Sequence, residues 1–212
     1  MSKPVGILRF PGTNCDYDIM NWCQAKDIPG EFLWHQDRFQ YQAYEALIVP
    51  GGFSFGDYLR SGALAARSSA LQSVREAAEH GMPILGICNG FQILTEAGLL
   101  PGALVQNEHQ RFLDTWVDLK VHSKKSFFAK DFKHVRLPIA HGDGRYFIPE
   151  NEVKSLWDQE QVWMTYEGVN PNGSVGSIAG VLNAKKNVAG LMPHPERALF
   201  DWMGGVDGWG FI

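Results

Sequence analysis

The sequence is short of cysteine, has no long apolar run, and carries no dominant charge of one sign. Its three cysteines, at 15, 23 and 88, are an odd number with no C-x-x-C pair. That argues against a disulfide framework or a zinc motif and fits free thiols in a reducing compartment. No apolar span reaches about 18 residues, the length that crosses a bilayer, and the N-terminus lacks the basic and apolar regions of a signal peptide. The expectation is a cytoplasmic protein without a membrane partner. The formal net charge is −4, and no Lys/Arg block stands out beyond Lys124-Lys125 and Lys185-Lys186, so a nucleic-acid partner is not expected. No histidine pair has the H-E-x-x-H or H-x-H spacing of a metal site, so no metal is assigned. What is present is ordinary for a globular chain: 212 residues, 45% hydrophobic and 20% charged, enough for one sizeable core and, by default, one domain.

Along the chain, Pro4 to Phe10 reads as a strand ending at the turn Pro11-Gly12-Thr13-Asn14, and Cys15 to Lys26 as a helix. Ile19, Trp22 and Cys23, with Tyr17 as a further candidate, fall at helical spacing for one buried face. Short strands follow at Glu31 to His35 and Ala46 to Val49, then a glycine-rich loop, Pro50 to Tyr58. Leu59 to His80 reads as a crossover helix with Leu71, Val74, Ala77 and Ala78 as its apolar stripe, and Pro83 to Ile87 as a buried strand. This strand and helix alternation predicts a parallel sheet. Beyond Pro101-Gly102 the pattern changes to strand-like runs at Phe112 to Val121, Val135 to Ala140, Trp163 to Tyr166 and Ile178 to Leu182, antiparallel or mixed.

Three places bear chemistry. At Gly86-Ile87-Cys88-Asn89-Gly90 a strand meets a segment of helical character, Asn89 to Ala97, giving G-x-C-x-G, the thiol form of the nucleophile elbow. Cys88 then lies at a helix N-terminus, where the dipole and unpaired N–H groups favour a thiolate and an oxyanion. The alternative is a small buried thiol closing a core strand. The Gly51-Gly52 loop lies at a strand's C-terminal end, where open sheets bind ligands. Beside the elbow, one of its N–H groups would be a second oxyanion donor, the first coming from Asn89. The loop has no Gly-Lys-Ser/Thr, which makes phosphate cradling a poor reading. In Pro193-His194-Pro195-Glu196 the prolines stiffen the backbone around an imidazole, and Glu196 is placed to fix its tautomer. Cys88, His194 and Glu196 would form a thiol analogue of the serine triad; the competing reading is a surface His-Glu pair. The turn His141-Gly142-Asp143-Gly144-Arg145-Tyr146 either lines a pocket or only joins two strands.

Taken together, Pro50-Gly51-Gly52, Gly86-Ile87-Cys88-Asn89-Gly90-Phe91-Gln92 and His194-Pro195-Glu196 resemble the class I, or triad, glutamine amidotransferases. Longer stretches, Pro11 to Asp16, Gly52 to Arg60, Ile139 to Tyr146 and Met192 to Arg197, are similar to one branch of that family, the glutaminase subunits of phosphoribosylformylglycinamidine synthase. The resemblance runs over essentially the whole chain, from the first strand to Gly208, and implies a single amidotransferase domain over residues 1–212. It implies a flavodoxin-like α/β fold, an open and mainly parallel sheet flanked by helices, with antiparallel strands in the C-terminal half. It also implies that Cys88 attacks the glutamine side-chain amide, with His194 and Glu196 completing the triad and a γ-glutamyl thioester as intermediate. Gly52 and Asn89 are carried over as oxyanion donors, Gln92 as a substrate contact, and Gly142, Asp143 and Gly144 as candidates to hold the α-carboxylate and amine. No cofactor is implied in this chain; ATP and magnesium are expected on a large synthetase subunit that receives the ammonia, with a small third subunit alongside. Phe53 to Tyr58 and Phe200 to Phe211 are candidate docking segments. Phe55, Asp143 and His109 stand where Tyr, Glu and Ser would be usual. The rivals are another Cys-elbow hydrolase of this fold, such as a γ-glutamyl hydrolase, and a non-catalytic docking module.

Overall fold

The structure, a computed structural model, describes residues 3–212. In chain order its main elements are β1 (Val5–Arg9), α1 (Asp16–Ala25), β2 (Gly30–Trp34), β3 (Ala46–Val49), α2 (Ser69–Glu79), β4 (Ile84–Ile87) and α3 (Asn89–Glu96). The second half adds β5 (Ala103–Val105), β6 (Leu113–Val121), β7 (His134–His141), β8 (Arg145–Phe147), α4 (Glu150–Asp158), β9 (Val162–Tyr166), β10 (Ile178–Leu182) and β11 (Val188–Leu191). Nine strands form one sheet in the order β2-β1-β3-β4-β11-β10-β9-β6-β7, and β5 pairs with β8 apart from it.

The first five strands of that order are parallel, in the 2-1-3-4-5 arrangement of flavodoxin-like sheets with β11 as the fifth. The remaining pairings are antiparallel. The physical reason is visible in the residues. β1, β3, β4 and β11 are short apolar runs buried on both faces, as parallel strands covered by helices must be. By contrast β6 alternates apolar and polar residues and leaves much of one face to water.

The helix expected over Leu59 to His80 is shorter. Only Ser69–Glu79 is α-helical, burying Ala70, Leu71, Val74, Ala77 and Ala78, and Ala65–Arg67 forms a single 3-10 turn. The preceding residues cannot continue the helix, since Leu59 and Gly62 have positive φ (70° and 82°). Gly62 lies against the backbone of α3, where a Cβ would fall 2.7 Å from Ile93 N. Tyr17, the candidate for the buried face of α1, is exposed instead and lies under the Arg9 guanidinium. In the sequence β11 merges with the turn that follows it, and α4, which buries only Leu156, has little apolar period. No helix among the described residues is long and apolar enough to cross a membrane.

Candidate active site

Helix α3 is packed hard onto the sheet, and glycines make this possible. A Cβ at Gly90 would meet Val49 O at 1.8 Å, and one at Gly190 would meet Phe91 Cδ2 at 2.3 Å. With α3 so close to β3 and β11, the chain must turn sharply between β4 and α3. Cys88 takes that turn with φ 50° and ψ −107°, a combination outside the ordinary left-handed region that costs on the order of 1–3 kcal/mol. Its own N–H is tied to Leu191 O on β11 (2.8 Å). The strain holds the sulfur at the C-terminal edge of the sheet, above the N-terminus of α3.

The other parts arrive at the same edge from the ends of neighbouring strands. The loop after β3 brings Gly51 and Gly52, bridged to Thr13 in the turn after β1, so the crevice lies where the strand order reverses. The turn after β11 brings His194, whose N–H donates to Pro138 O of β7 (2.8 Å). Its ring Nδ1 pairs with Glu196 Oε1 at 2.6 Å, and both side chains are buried. A Cβ on Gly51 would lie 2.8 Å from His194 Cε1, 3.0 Å from Cys15 Sγ and 3.5 Å from Cys88 Cβ. The missing side chain at 51 is therefore the space that imidazole and sulfur share.

Burial by itself pushes the His194 imidazole down, but the Glu196 carboxylate, and after it the nearby sulfurs of Cys88 and Cys15, hold it well above the usual histidine range. Nε2 of His194 makes no hydrogen bond among the described residues. The N–H groups of Gly52 and Asn89 donate to no other group among the described residues, as donors reserved for a developing oxyanion should.

Two lobes of one cleft open from Cys88, sharing Gly52, Phe53, Phe112 and Ala140. One, about 170 Å³, runs to Asn14, Cys15, His194 and Arg197. The other, about 120 Å³, runs to Asp57, Ser61, Gln92, His141, Gly142 and Asp143. A larger hollow of about 670 Å³ between Arg38 and Glu76 holds no nucleophile and lies away from this edge.

The residues singled out in the sequence meet here with some differences. Gln92 lines the second lobe, but its amide is committed: Nε2 donates to Asp143 O (2.7 Å) and Oε1 accepts from Asn89 Nδ2 (2.8 Å). Asn89 Oδ1 in turn accepts from Ser54 N (3.0 Å), which ties the glycine loop to the elbow. Gly142 and Asp143 reach the lobe, whereas Gly144 lies outside it, its N–H spent on Asn107 Oδ1 (3.1 Å). Of the docking segments, Phe53, Tyr58, Phe200, Trp202 and Trp209 are exposed and Phe211 is core.

In the sequence Cys15 reads only as the start of the first helix. It stands beside His194, accepts from Arg197 Nη2 at 3.1 Å, and donates to Asn14 Oδ1 at 3.3 Å. Cys15, His194 and Glu196 each bring a possible ligand atom within 4.8 Å of the others. Of these, Cys15 Sγ is held by Arg197 and His194 Nδ1 by Glu196 Oε1, while His194 Nε2 and Glu196 Oε2 make no hydrogen bond among the described residues. Burial, and to a lesser degree the Glu196 charge, raise the Cys15 thiol against the lowering effect of His194 and Arg197. No signal in the sequence alone separates this neighbour of the imidazole from a core thiol.

Comparison with known proteins agrees with this architecture over nearly the whole chain. The family profile of the CobB/CobQ-like glutamine amidotransferase domain matches residues 2–206. The chain is 46% identical to phosphoribosylformylglycinamidine synthase subunit PurQ of Wolinella succinogenes, covering 96% of this chain and 95% of that protein. It is 47% identical to the subunit of the same name from Aquifex aeolicus, covering 94% and 92%. A chain in the solved structure of PurLQS from Thermotoga maritima superposes with a TM-score of 0.90 at 43% identity, covering 99% of this chain and 95% of that one. With an elbow thiol, a buried His-Glu pair and this sheet order all in place, the chain belongs to the CobB/CobQ-like glutamine amidotransferase family, in the branch that includes the PurQ subunits.

Proposed function

We propose that the chain is the glutaminase subunit of a phosphoribosylformylglycinamidine synthase, a glutamine amidotransferase that supplies ammonia to an ATP-dependent carbon-nitrogen ligase. The observation that carries the reading is the strained Cys88 in one cleft with a paired His194 and two uncommitted N–H donors. Cys88 sulfur attacks the side-chain amide carbon of glutamine, and the oxygen gathers charge between the N–H groups of Gly52 and Asn89. His194, held as imidazolium by Glu196, delivers its proton to the departing nitrogen, so ammonia leaves and a γ-glutamyl thioester remains. Water, deprotonated by the now neutral His194, attacks the thioester; glutamate leaves and the sulfur is restored. Cys88 is favoured over Cys15 as nucleophile because the Cys15 sulfur is held by Arg197 and Asn14 and has no such pair of donors.

The second lobe takes the amino-acid end of glutamine, with Gly142 and Asp143 as its contacts. Gln92 acts by fixing the Asp143 carbonyl and the Asn89 side chain. The partner is the large synthetase subunit, which binds ATP and magnesium, together with a small third subunit, as the name PurLQS of the Thermotoga maritima assembly suggests. The complex is placed in the cytoplasm.

Cys88→Ala in the assembled complex tests the reading. Glutamine-dependent amidine formation should fall below detection while added ammonium salt still supports turnover. Glutamine-dependent turnover at the unaltered rate would remove Cys88 from the mechanism, and preferential labelling of Cys15 by a glutamine-like electrophile would transfer the role to that thiol.

A further inference from the structure

The lobe that runs from Cys88 to Arg197 gathers soft donors beyond those the reaction uses. Two sulfurs line it, Cys15 and Cys88, together with the His194 imidazole and the Arg197 guanidinium. All converge on one point: the place a Cβ on Gly51 would take lies 2.8 Å from His194 Cε1, 3.0 Å from Cys15 Sγ and 3.5 Å from Cys88 Cβ. Cys15 Sγ, a ring nitrogen of His194 and a carboxylate oxygen of Glu196 lie within 4.8 Å of one another. Ligand atoms around one tetrahedral zinc stand about 3.3–3.8 Å apart, as bonds of about 2.0–2.3 Å require, so a side-chain adjustment of about 1 Å closes such a set.

A second, independent observation concerns buried polar atoms. His194 and Glu196 are 2% and 1% exposed, and neither His194 Nε2 nor Glu196 Oε2 makes a hydrogen bond among the described residues. Nδ1 is spent on Glu196 Oε1 at 2.6 Å, so a cation entering the lobe meets Nε2. This is how a metal-binding histidine is supported: one ring nitrogen takes the metal and the other donates its N–H to a carboxylate that fixes the ring. Cys15 is supported as well. Arg197 Nη2 donates to its sulfur at 3.1 Å, and Arg197 Nε is itself held by Asp18 Oδ2, also at 3.1 Å. A guanidinium there stabilises a thiolate, and a dication expels the proton of a thiol that it coordinates.

We infer that Cys15 Sγ, Cys88 Sγ and His194 Nε2 form a site for zinc or a similar borderline divalent cation, and that its occupation switches the enzyme off. Two sulfurs and one imidazole with a fourth position left to water are an established zinc set. Magnesium, which takes oxygen ligands and keeps its waters, does not suit them. Charge also agrees, since two thiolates and the Glu196 carboxylate behind the ring offset the dication and the Arg197 guanidinium. The thiol proton of Cys15 and the Nε2 proton of His194 leave to water on binding. Cys15 is the ligand that defines the site, because it is the one donor that glutamine hydrolysis leaves idle.

Inhibition, unlike the site itself, rests on the glutaminase reading above. The metal occupies the sulfur that attacks and the nitrogen that delivers the proton. Glutamine and metal then compete for Cys88, so zinc should raise KM for glutamine and leave kcat unchanged.

Cobalt reports the site directly. Titrated into the full chain, one equivalent of Co²⁺ should give sulfur-to-cobalt charge-transfer absorption and the visible bands of tetrahedral coordination, and Zn²⁺ should bleach both. Cys15→Ala should remove about half of the charge-transfer intensity, one of two thiolates. It should also weaken zinc binding by at least about 100-fold, past the roughly 10–100-fold cost of losing an outer neighbour of a metal site. Where Cys15→Ala fails to fold, Cys15→Ser, closer in size, is read in the same way. In the assembled complex, zinc should inhibit glutamine hydrolysis, a chelator should reverse it, and the Cys15 variant should require correspondingly more zinc. Absence of the charge-transfer band would overturn the site, as would a band that Cys15→Ala leaves intact, which assigns the metal to other residues. Failure of the metal-free complex to hydrolyse glutamine would instead sink the glutaminase reading alone, because the cobalt spectrum is taken without substrate.

Discussion

Burial alone would strip the proton from His194, yet the two charges beside it outweigh that penalty and keep the ring cationic. The sign matters for catalysis. A histidine held above its usual range keeps its proton as pH rises through neutrality, so the imidazolium persists until pH passes the raised value. Replacing Glu196 by Gln removes the larger of the two raising charges. Thioester formation should slow by at least about 100-fold, a lower bound beside the roughly 10⁴-fold loss when a serine triad loses its orienting carboxylate. The alkaline limb of the pH profile should also move to lower pH, while KM for glutamine changes little. Single-turnover kinetics across pH measure all three, and an unchanged limb would mean that Glu196 does not set the charge of His194. His194 and Glu196 were legible as residues because prolines on both sides stiffen that turn. Cys15 was not, since its closeness to the imidazole depends on the loop after β3 crossing beneath it.

At the scale of elements, the elbow depends on α3 lying against β3 without a side chain between them. Gly90→Ala would place a Cβ 1.8 Å from Val49 O, backbone against a buried strand. Neither side is free to yield, because Val49 is fully buried at the end of β3 and α3 is packed on the sheet. The substitution should destabilise the fold by more than about 2 kcal/mol, read as a lower denaturant midpoint. A second effect follows from geometry: any shift of α3 that relieves the clash moves Asn89 N away from its place opposite Gly52. The fraction of chains that stay folded should therefore lose glutamine hydrolysis while keeping secondary structure by circular dichroism. The strands and the elbow could be read directly from the sequence because buried apolar runs and Gly/Pro breaks are local signals. The segment before α2 could not, because its apolar period is genuine from Leu71 onward while Gly62 obeys a distant contact with Ile93. Likewise the three residues of β5 and of β8 are too few to carry a period, and they pair only with each other.

For the whole molecule, the exposed aromatics need an explanation that the core does not supply. Phe200 and Trp202 stack with ring centroids 6.0 Å apart, Trp209 lies against the same ring of Phe200, and Trp202 is 79% exposed. Aromatic anchors of this kind dominate protein interfaces. Trp202→Ala should weaken association with the synthetase by about 10-fold or more without altering labelling of Cys88 in the free chain. Titration of labelled chain with the synthetase measures the first and mass spectrometry the second. Unweakened association would place the interface elsewhere, with Tyr58 and Leu59 beside the cleft as the next surface to examine.

The place of β11 has one more consequence. Residues 188–191 fill the centre of the sheet, between β4 and β10, although they come late in the polypeptide. During translation, β4 emerges about a hundred residues ahead of its neighbour, counted at the spacing of its pairing with Val188, and its unsatisfied edge must wait on the ribosome or be shielded by a chaperone. The Cys88 backbone is held by Leu191, so a nascent chain has no working elbow until that late strand slots in. Ammonia release is thereby withheld from incomplete copies.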